Sequence, residues 1–161
     1  MPLFQLSHFW IIFLDIFVWL IIHLGVSYLC SLIPISYFEK DMWWYKTRSW
    51  ERDGMFYQKP LRIKVWRKVI PDGGSMFKGG FPKKNLECGD AGYLKTFLNE
   101  TKRAELTHWL AIVPVPVFFL WNIWWVGLIM IGYALIANLP CIMLQRFNRA
   151  RIIRVLTSRQ K

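Results

Sequence analysis

Three long apolar stretches divide the chain, and basic, polar segments follow the first and the third of them. An α-helix needs about 20 apolar residues to cross a hydrocarbon layer of roughly 30 Å. The pattern predicts an all-α integral membrane protein with three transmembrane helices, folded as one membrane domain over residues 1–161. The predicted spans are about 9–33, 106–120 and 123–144, of which the second is short.

The polar segment between the first two spans, residues 34–105, divides into parts. Aromatic residues alternate with cations over 36–67, a composition typical of a segment that lies in the lipid headgroup zone. Apolar and basic residues alternate over 61–69, which indicates a short strand or an amphipathic edge. Glycines and prolines in 71–86 predict a mobile loop. A helix is predicted to begin near Asp90 and to carry the chain into the second span.

The positions of the cations predict the orientation of the spans. The chain has 21 Lys and Arg residues against 10 Asp and Glu, a net charge of +11, and no cation precedes Lys40. The central segment 34–105 and the C-terminal tail 145–161 carry all of the cations, so both are predicted to be cytoplasmic and the N-terminus outside. We therefore predict a multi-pass protein of the cell membrane. A signal peptide is the alternative for the first span, but residues 1–8 contain no basic region.

The basic charge and the cysteines exclude some classes of function. Topology and anionic lipid account for the charge, and no base-reading motif is present, so no nucleic-acid partner is predicted. Cys30, Cys88 and Cys141 cannot form a complete disulfide set and lack metal-ligand spacing. We predict neither a metal nor a bound cofactor, and membrane lipids as partners. Because three spans form a thin bundle, a homodimer that completes a lipid groove is compatible with the pattern.

A run of ionisable side chains lies where the central segment enters the second span. Glu105 and His108 are three residues apart, hence on one face of a helix, and ionisable groups at membrane depth are costly unless they pair or act. A carboxylate beside an imidazole predicts an oriented general base at the lipid–water boundary. The alternative is structural: His108 ends the helix, and Glu105 pairs with Lys102 or Arg103.

Asn138, in the third span, is a second candidate because an amide in lipid needs a polar partner. Asn138, Gln145 and Arg149 lie close to one helical face. That face can supply an oxyanion donor from Asn138 and a phosphate contact from Arg149. The alternatives are a helix–helix hydrogen bond for Asn138, worth about 1 kcal/mol, and a topological role alone for Arg146 and Arg149.

The same segments resemble a known protein family. The matching positions are 99–109, 137–140 and 145–149, with Ile33, Pro34, Tyr37, Phe38, Trp50, Glu51, Gly54, Trp66, Lys68, Asp72 and Gly73. In these residues the chain resembles the glycosyl-4,4'-diaponeurosporenoate acyltransferase family, small bacterial membrane enzymes of the staphyloxanthin pathway. The resemblance covers most of the chain from the end of the first span to Arg151. It implies transfer of a fatty acyl group to a sugar hydroxyl of a carotenoid glycoside or a related glycolipid.

The residue chemistry and the resemblance together predict a set of roles. His108 is the predicted general base, Glu105 its orienting carboxylate and Asn138 an oxyanion donor. The donor is an acyl thioester of coenzyme A or acyl carrier protein, and the acceptor is lipid-linked. The predicted substrate-binding residues are Asp72, Trp66, Lys68, Glu100, Arg103, Gln145, Arg146, Asn148 and Arg149. Two other classes stay open: a non-enzymatic membrane scaffold or lipid-binding subunit, and an intramembrane hydrolase using the same His and Glu.

Overall fold

The structure, a computed structural model, describes residues 2–4, 6–66 and 91–159. Within these ranges every regular element is a helix, so the predicted all-α class is confirmed. The α-helices are α1 (His8–Ser31), α2 (Met55–Gln58), α3 (Ile63–Trp66), α4 (Ala91–Ile112) and α5 (Trp124–Ser158). The segments of 3-10 helix are Ile35–Glu39, Trp43–Tyr45, Ser49–Gly54 and Val115–Leu120.

Three helices in the described part of the chain are long and apolar enough to cross a membrane, as the sequence predicts. They are His8–Ser31, Ala91–Leu120 and Trp124–Ser158. The second and third are longer than the predicted spans, because α4 is already helical at Ala91 and α5 continues to Ser158. Apolar residues mark only the depth of the hydrocarbon layer, whereas Glu, Lys and Arg are good helix formers and extend a helix beyond it.

The prolines of the last two spans behave differently from each other. Pro114 follows the end of α4, and the chain tightens into 3-10 helix over Val115–Leu120. Pro140 lies inside α5, which continues through it. Neighbouring helices and local adjustments make such a proline tolerable within a membrane helix.

The alternation of residue types over 61–69 was predicted to be a strand or an amphipathic edge. Its described part contains the short helix α3, so the strand is wrong there. The Nε1 of Trp66 donates to the carbonyl of Leu61 at 2.7 Å, a local hydrogen bond that a curled backbone permits and an extended strand does not. Residues 67–69 and the predicted loop 71–86 lie outside the described residues.

A buried apolar cluster joins the three long helices. It contains Trp19 of α1, Ala111 of α4, Phe118 of the 3-10 segment after α4, and Ala134 of α5. At the same end, Asp15 Oδ1 accepts hydrogen bonds from Trp121 Nε1 at 2.8 Å and Asn122 Nδ2 at 2.7 Å. These bonds offset the free-energy cost of placing a carboxylate within a membrane span, and they connect α1 to the turn before α5.

The segment 35–66, here called the aromatic cap, packs across the opposite end of the bundle. Tyr57 and Ile63 of the cap form a buried cluster with Phe147 of α5. Phe38 is fully buried, and its carbonyl accepts a hydrogen bond from Lys102 Nζ at 2.6 Å. The cap is therefore fixed to both α4 and α5, and this places aromatic side chains over the polar run predicted to be functional.

Gly54 sits where the cap packs against α5, and we expect Gly54→Ala to destabilise the fold by about 1–3 kcal/mol. Its φ is +87°, and an added Cβ would lie 3.2 Å from Ala150 Cβ. Thermal unfolding in detergent measures the loss. Gly132→Ala is the matched control, because no heavy atom lies within 4 Å of its added Cβ. Equal stability of the two variants would contradict the close packing of the cap against α5 at Gly54.

Candidate active site

Polar side chains form a seam along the interface between α4 and α5. Glu105 and His108 project from successive turns of α4, and Asn138, Gln145 and Arg149 come from one face of α5. Four of these five are buried, and His108 is half-buried. The helical spacing predicted from the sequence therefore brings these five residues to one interface.

The imidazole of His108 meets the amide of Asn138. His108 Nδ1 and Asn138 Oδ1 are 3.0 Å apart, and Asn138 Nδ2 donates to the carbonyl of Ala134 at 2.9 Å. Only the amide nitrogen can donate to a carbonyl, so the bond to Ala134 turns Oδ1 toward the histidine. An amide oxygen only accepts, and His108 Nδ1 must therefore carry the proton of this bond. In the neutral ring the basic lone pair is then on Nε2.

Glu105 is bound by two arginines of α5. Arg146 Nη1 donates to its Oε1 at 2.9 Å, Arg149 Nη2 pairs with its Oε2, and the carboxylate is only 3% exposed. The hydrogen-bonding partner of His108 Nδ1 is Asn138, so the orienting position predicted for Glu105 is filled by the amide. A charge-balancing effect of Glu105 on His108 stays a prediction.

The structural alternative for Glu105, pairing with Lys102 or Arg103, is not the arrangement found. Lys102 donates to the cap, and Arg103 forms an ion pair with Glu100 at 2.8 Å. Glu100 and Arg103, both predicted to bind substrate, therefore engage each other within one turn of α4.

Arg146 uses all of its N–H groups within the protein. Its Nε and Nη2 both bind Glu51 Oε1. Its Nη1 binds Glu105 at 2.9 Å and the carbonyl of Trp44 at 3.3 Å. Its Nη2 also donates to the carbonyl of Lys46 at 3.1 Å. A guanidinium has five N–H donors, and five acceptor contacts occupy them. Arg146 therefore ties the aromatic cap to the bundle, which leaves it no donor for the substrate phosphate predicted from the sequence.

Two buried polar atoms of the seam have no hydrogen-bonding partner among the described residues. They are Gln145 Oε1 and Arg149 Nη1, which lie one turn apart on α5. A buried donor and a buried acceptor without partners are each costly, by about 1–3 kcal/mol. They are therefore suited to contacts with a polar group of a substrate.

A cavity of about 610 Å³ lies beside the seam, between the aromatic cap and the two helices. Its helical wall contains Glu105, Leu106, Trp109, Ile142, Met143 and Arg146. Its cap wall contains Tyr37, Trp44, Tyr45, Trp50, Phe56 and Tyr57, with Met42 and Arg48 completing the lining. His108 and Asn138 do not line the cavity. Two lining residues, Glu105 and Trp109, lie within one helical turn of His108 on α4.

Two tyrosines of the cavity are held in the neutral form. Burial raises the pKa of Tyr45 to about 12, and the charge of Glu105 adds to the shift. Burial likewise raises the pKa of Tyr57 to about 12, with Glu51 as the second cause. Both phenols stay protonated at neutral pH. Neither suits proton removal there, whereas an imidazole does.

The remaining predicted residues lie further from the seam or outside the described ranges. Trp66 packs against the cluster of Tyr57 and Phe147, and Asn148 is buried in α5. Asp72 and Lys68 lie outside the described residues. Within the described ranges, no group of three or more His, Cys, Asp and Glu residues could hold a metal ion.

Glu51 is the main residue whose position the sequence did not reveal. It is 1% exposed, accepts from the backbone nitrogen of Arg48 at 3.3 Å and forms an ion pair with Arg146. In the sequence, Glu51 stands out only through the family resemblance. It is one of four carboxylates in the segment 35–66, so no other signal in the sequence marks it as the buried one.

The fold and the site define an integral membrane protein with a polar seam and an adjoining cavity between two spans. The family model described as glycosyl-4,4'-diaponeurosporenoate acyltransferase matches residues 41–158. The chain therefore belongs to the glycosyl-4,4'-diaponeurosporenoate acyltransferase family, and it is an acyltransferase.

Individual relatives agree with the family match. Proteins named glycosyl-4,4'-diaponeurosporenoate acyltransferase from Staphylococcus aureus strains N315 and USA300 are each 35% identical over 138 residues. The alignments cover 86% of this chain and 83% of each relative. No solved structure matches the chain.

Proposed function

We propose that the protein moves a fatty acyl group from a thioester donor to a sugar hydroxyl of a glycosylated lipid. The names of the relatives indicate a glycosyl carotenoid acid as the acceptor. The observation that carries this proposal is the pair of His108 and Asn138 beside the cavity. Acyl transfer needs a base for the attacking hydroxyl and a place for the acyl chain. His108 and the adjoining cavity support an assignment of these two roles.

In the proposed step, His108 Nε2 takes the proton of the acceptor hydroxyl. The hydroxyl oxygen attacks the thioester carbonyl, a C–O bond forms, and the tetrahedral intermediate collapses with cleavage of the C–S bond. The thiolate leaves and receives the proton from the imidazolium. Asn138 acts as a positioning residue, because its Oδ1 holds the proton on Nδ1 and thus the lone pair on Nε2.

The oxyanion of the intermediate needs hydrogen-bond donors in a site that excludes water. The second N–H of Asn138 Nδ2 is such a donor beside His108, since its amide has two donors and the bond to Ala134 uses one. Arg149 Nη1, a buried donor that no described residue accepts from, lies about three turns further along α5 and suits a phosphate or sugar contact rather than the same oxyanion. Gln145 Oε1, one turn from Arg149, suits an acceptor for a sugar hydroxyl.

The donor carrier and the orientation of the protein are further parts of the proposal, and the distribution of charge supports the orientation. We propose coenzyme A or acyl carrier protein as the carrier, with the aromatic cap and the C-terminal tail in the cytoplasm and the N-terminus outside. All 21 cations of the chain lie at or after Lys40, which is the distribution that the positive-inside rule requires.

Purified protein in lipid vesicles tests the reaction directly. It is supplied with a glycosyl carotenoid acid and with palmitoyl-coenzyme A or palmitoyl-acyl carrier protein, and the products are read by lipid mass spectrometry. An ester of the sugar with loss of the thioester is the expected result. Release of free fatty acid alone would identify a hydrolase, and an unchanged thioester with both carriers would also overturn the proposal.

A further inference from the structure

The two charged side chains on the helical wall of the cavity are already engaged by the protein. Glu105 is paired with two arginines, and Arg146 donates to five acceptor contacts. Sugar binding requires many hydrogen bonds, and these two residues have few left to give. What the wall offers to a ligand is chiefly apolar surface from Leu106, Ile142 and Met143, together with aromatic rings.

The cavity also has a positive charge at one place in its lining. The guanidinium of Arg48 lies 4.0 Å above the ring of Trp43, and its Nη2 donates to the carbonyl of Trp43 at 3.2 Å. Within the described residues this hydrogen bond uses one of its five N–H groups. Arg48 is half-buried, so an anionic headgroup can reach it from solvent. The combination of apolar walls and one accessible cation matches an amphiphile with an anionic head.

The position of the cavity relative to His108 fits a chain that ends at the reacting carbonyl. Glu105, which lines the cavity, lies three residues before His108 on α4 and therefore on the same face of the helix. Ile142 lies one turn from Asn138 on α5. A hydrocarbon chain in the cavity can therefore present its carbonyl carbon to the seam without leaving the apolar wall.

We propose that this cavity is the binding site of the fatty acyl chain, with Met143 and Leu106 setting the chain length that the protein accepts. This inference rests on the proposed function and names the substrate group that occupies the cavity. The volume of about 610 Å³ lies within the range of about 300–1,000 Å³ usual for small-molecule sites. The acceptor sugar is then left to the polar seam, where Gln145 and Arg149 lie.

Narrowing the cavity tests the inference through chain length. Met143→Phe on α5 and Leu106→Phe on α4 should each move the preferred acyl donor to shorter chains. Each methylene of the acyl chain that the narrowed cavity can no longer bury should lower kcat/KM by about fourfold. Ile136→Phe is the matched control, since Ile136 is an exposed residue of α5 outside the cavity. A chain-length profile of both cavity variants equal to that of the control would overturn the proposal.

A binding measurement separates this inference from the proposed reaction. The protein is labelled with a fatty acid that carries a diazirine at its terminal carbon, and the crosslinked residues are mapped by mass spectrometry. Labelling of 106, 109, 142 or 143 supports the acyl cavity even if no ester forms in the transfer assay. Labels confined to lipid-facing residues of α1, such as Phe13 and Phe17, would overturn it even if transfer is observed.

Discussion

His108→Gln should lower kcat for acyl transfer by about 10²–10⁴-fold, the usual contribution of a general base. Glutamine can still make a hydrogen bond to Asn138, so the seam keeps a polar side chain of similar size. It has no basic lone pair with a pKa near neutral, so the acceptor hydroxyl keeps its proton. The measurement is the initial rate of ester formation in vesicles, at saturating donor and acceptor.

His23→Gln is the matched control, because His23 is also a half-buried imidazole on a membrane-spanning helix. Its ring stacks on Trp19 at 5.3 Å, away from the seam, and turnover should stay near that of the unmodified protein. An initial rate for His108→Gln within tenfold of the control would exclude His108 as the base.

Asn138→Leu should lower kcat with little change in KM. Asn138→Asp keeps an acceptor for Nδ1 and should have a higher kcat than Asn138→Leu.

The helical register of the site could be predicted from the sequence, because helix geometry is local. Spacing of three between Glu105 and His108, and of seven and eleven along α5, places these side chains on common faces. Apolar length likewise predicts the spans. The ends of α4 and α5 could not be found in this way, since hydropathy changes at the membrane surface while the helices continue past it.

The partners across the seam could not be predicted, because they depend on how the helices and the cap pack. Glu105 has two cations within three residues, Lys102 and Arg103, and several arginines on the facing helix, and only the packing selects Arg146 and Arg149. The sequence predicts Asn138 as an oxyanion donor, which stays a prediction, but it gives no indication that the amide oxygen meets His108. The aromatic cap over the cavity has no periodic pattern, since 3-10 segments are short and irregular.

Arg146→Met should destabilise the protein by about 3–5 kcal/mol, the usual cost of removing one partner of a buried ion pair. Glu105 keeps Arg149, but Glu51, which is 1% exposed, loses its ion-pair partner. The carbonyls of Trp44 and Lys46 also lose their donor. The free energy of unfolding in detergent, followed by tryptophan fluorescence, measures the effect.

A control and a double variant show whether the unpaired carboxylate of Glu51 causes the loss of stability in Arg146→Met. Arg154→Met removes a cation from an exposed position of α5, where it makes one hydrogen bond to the carbonyl of Asp53, and should cost at most about 1 kcal/mol. Glu51→Gln added to Arg146→Met removes the stranded charge and should recover part of the stability, so the two changes should not be additive. If Arg146→Met costs no more than Arg154→Met, the ion-pair network is not what holds the aromatic cap over the cavity. The cap would then have to be held mainly by the apolar cluster around Tyr57 and Phe147 and by the bond from Lys102 to the carbonyl of Phe38.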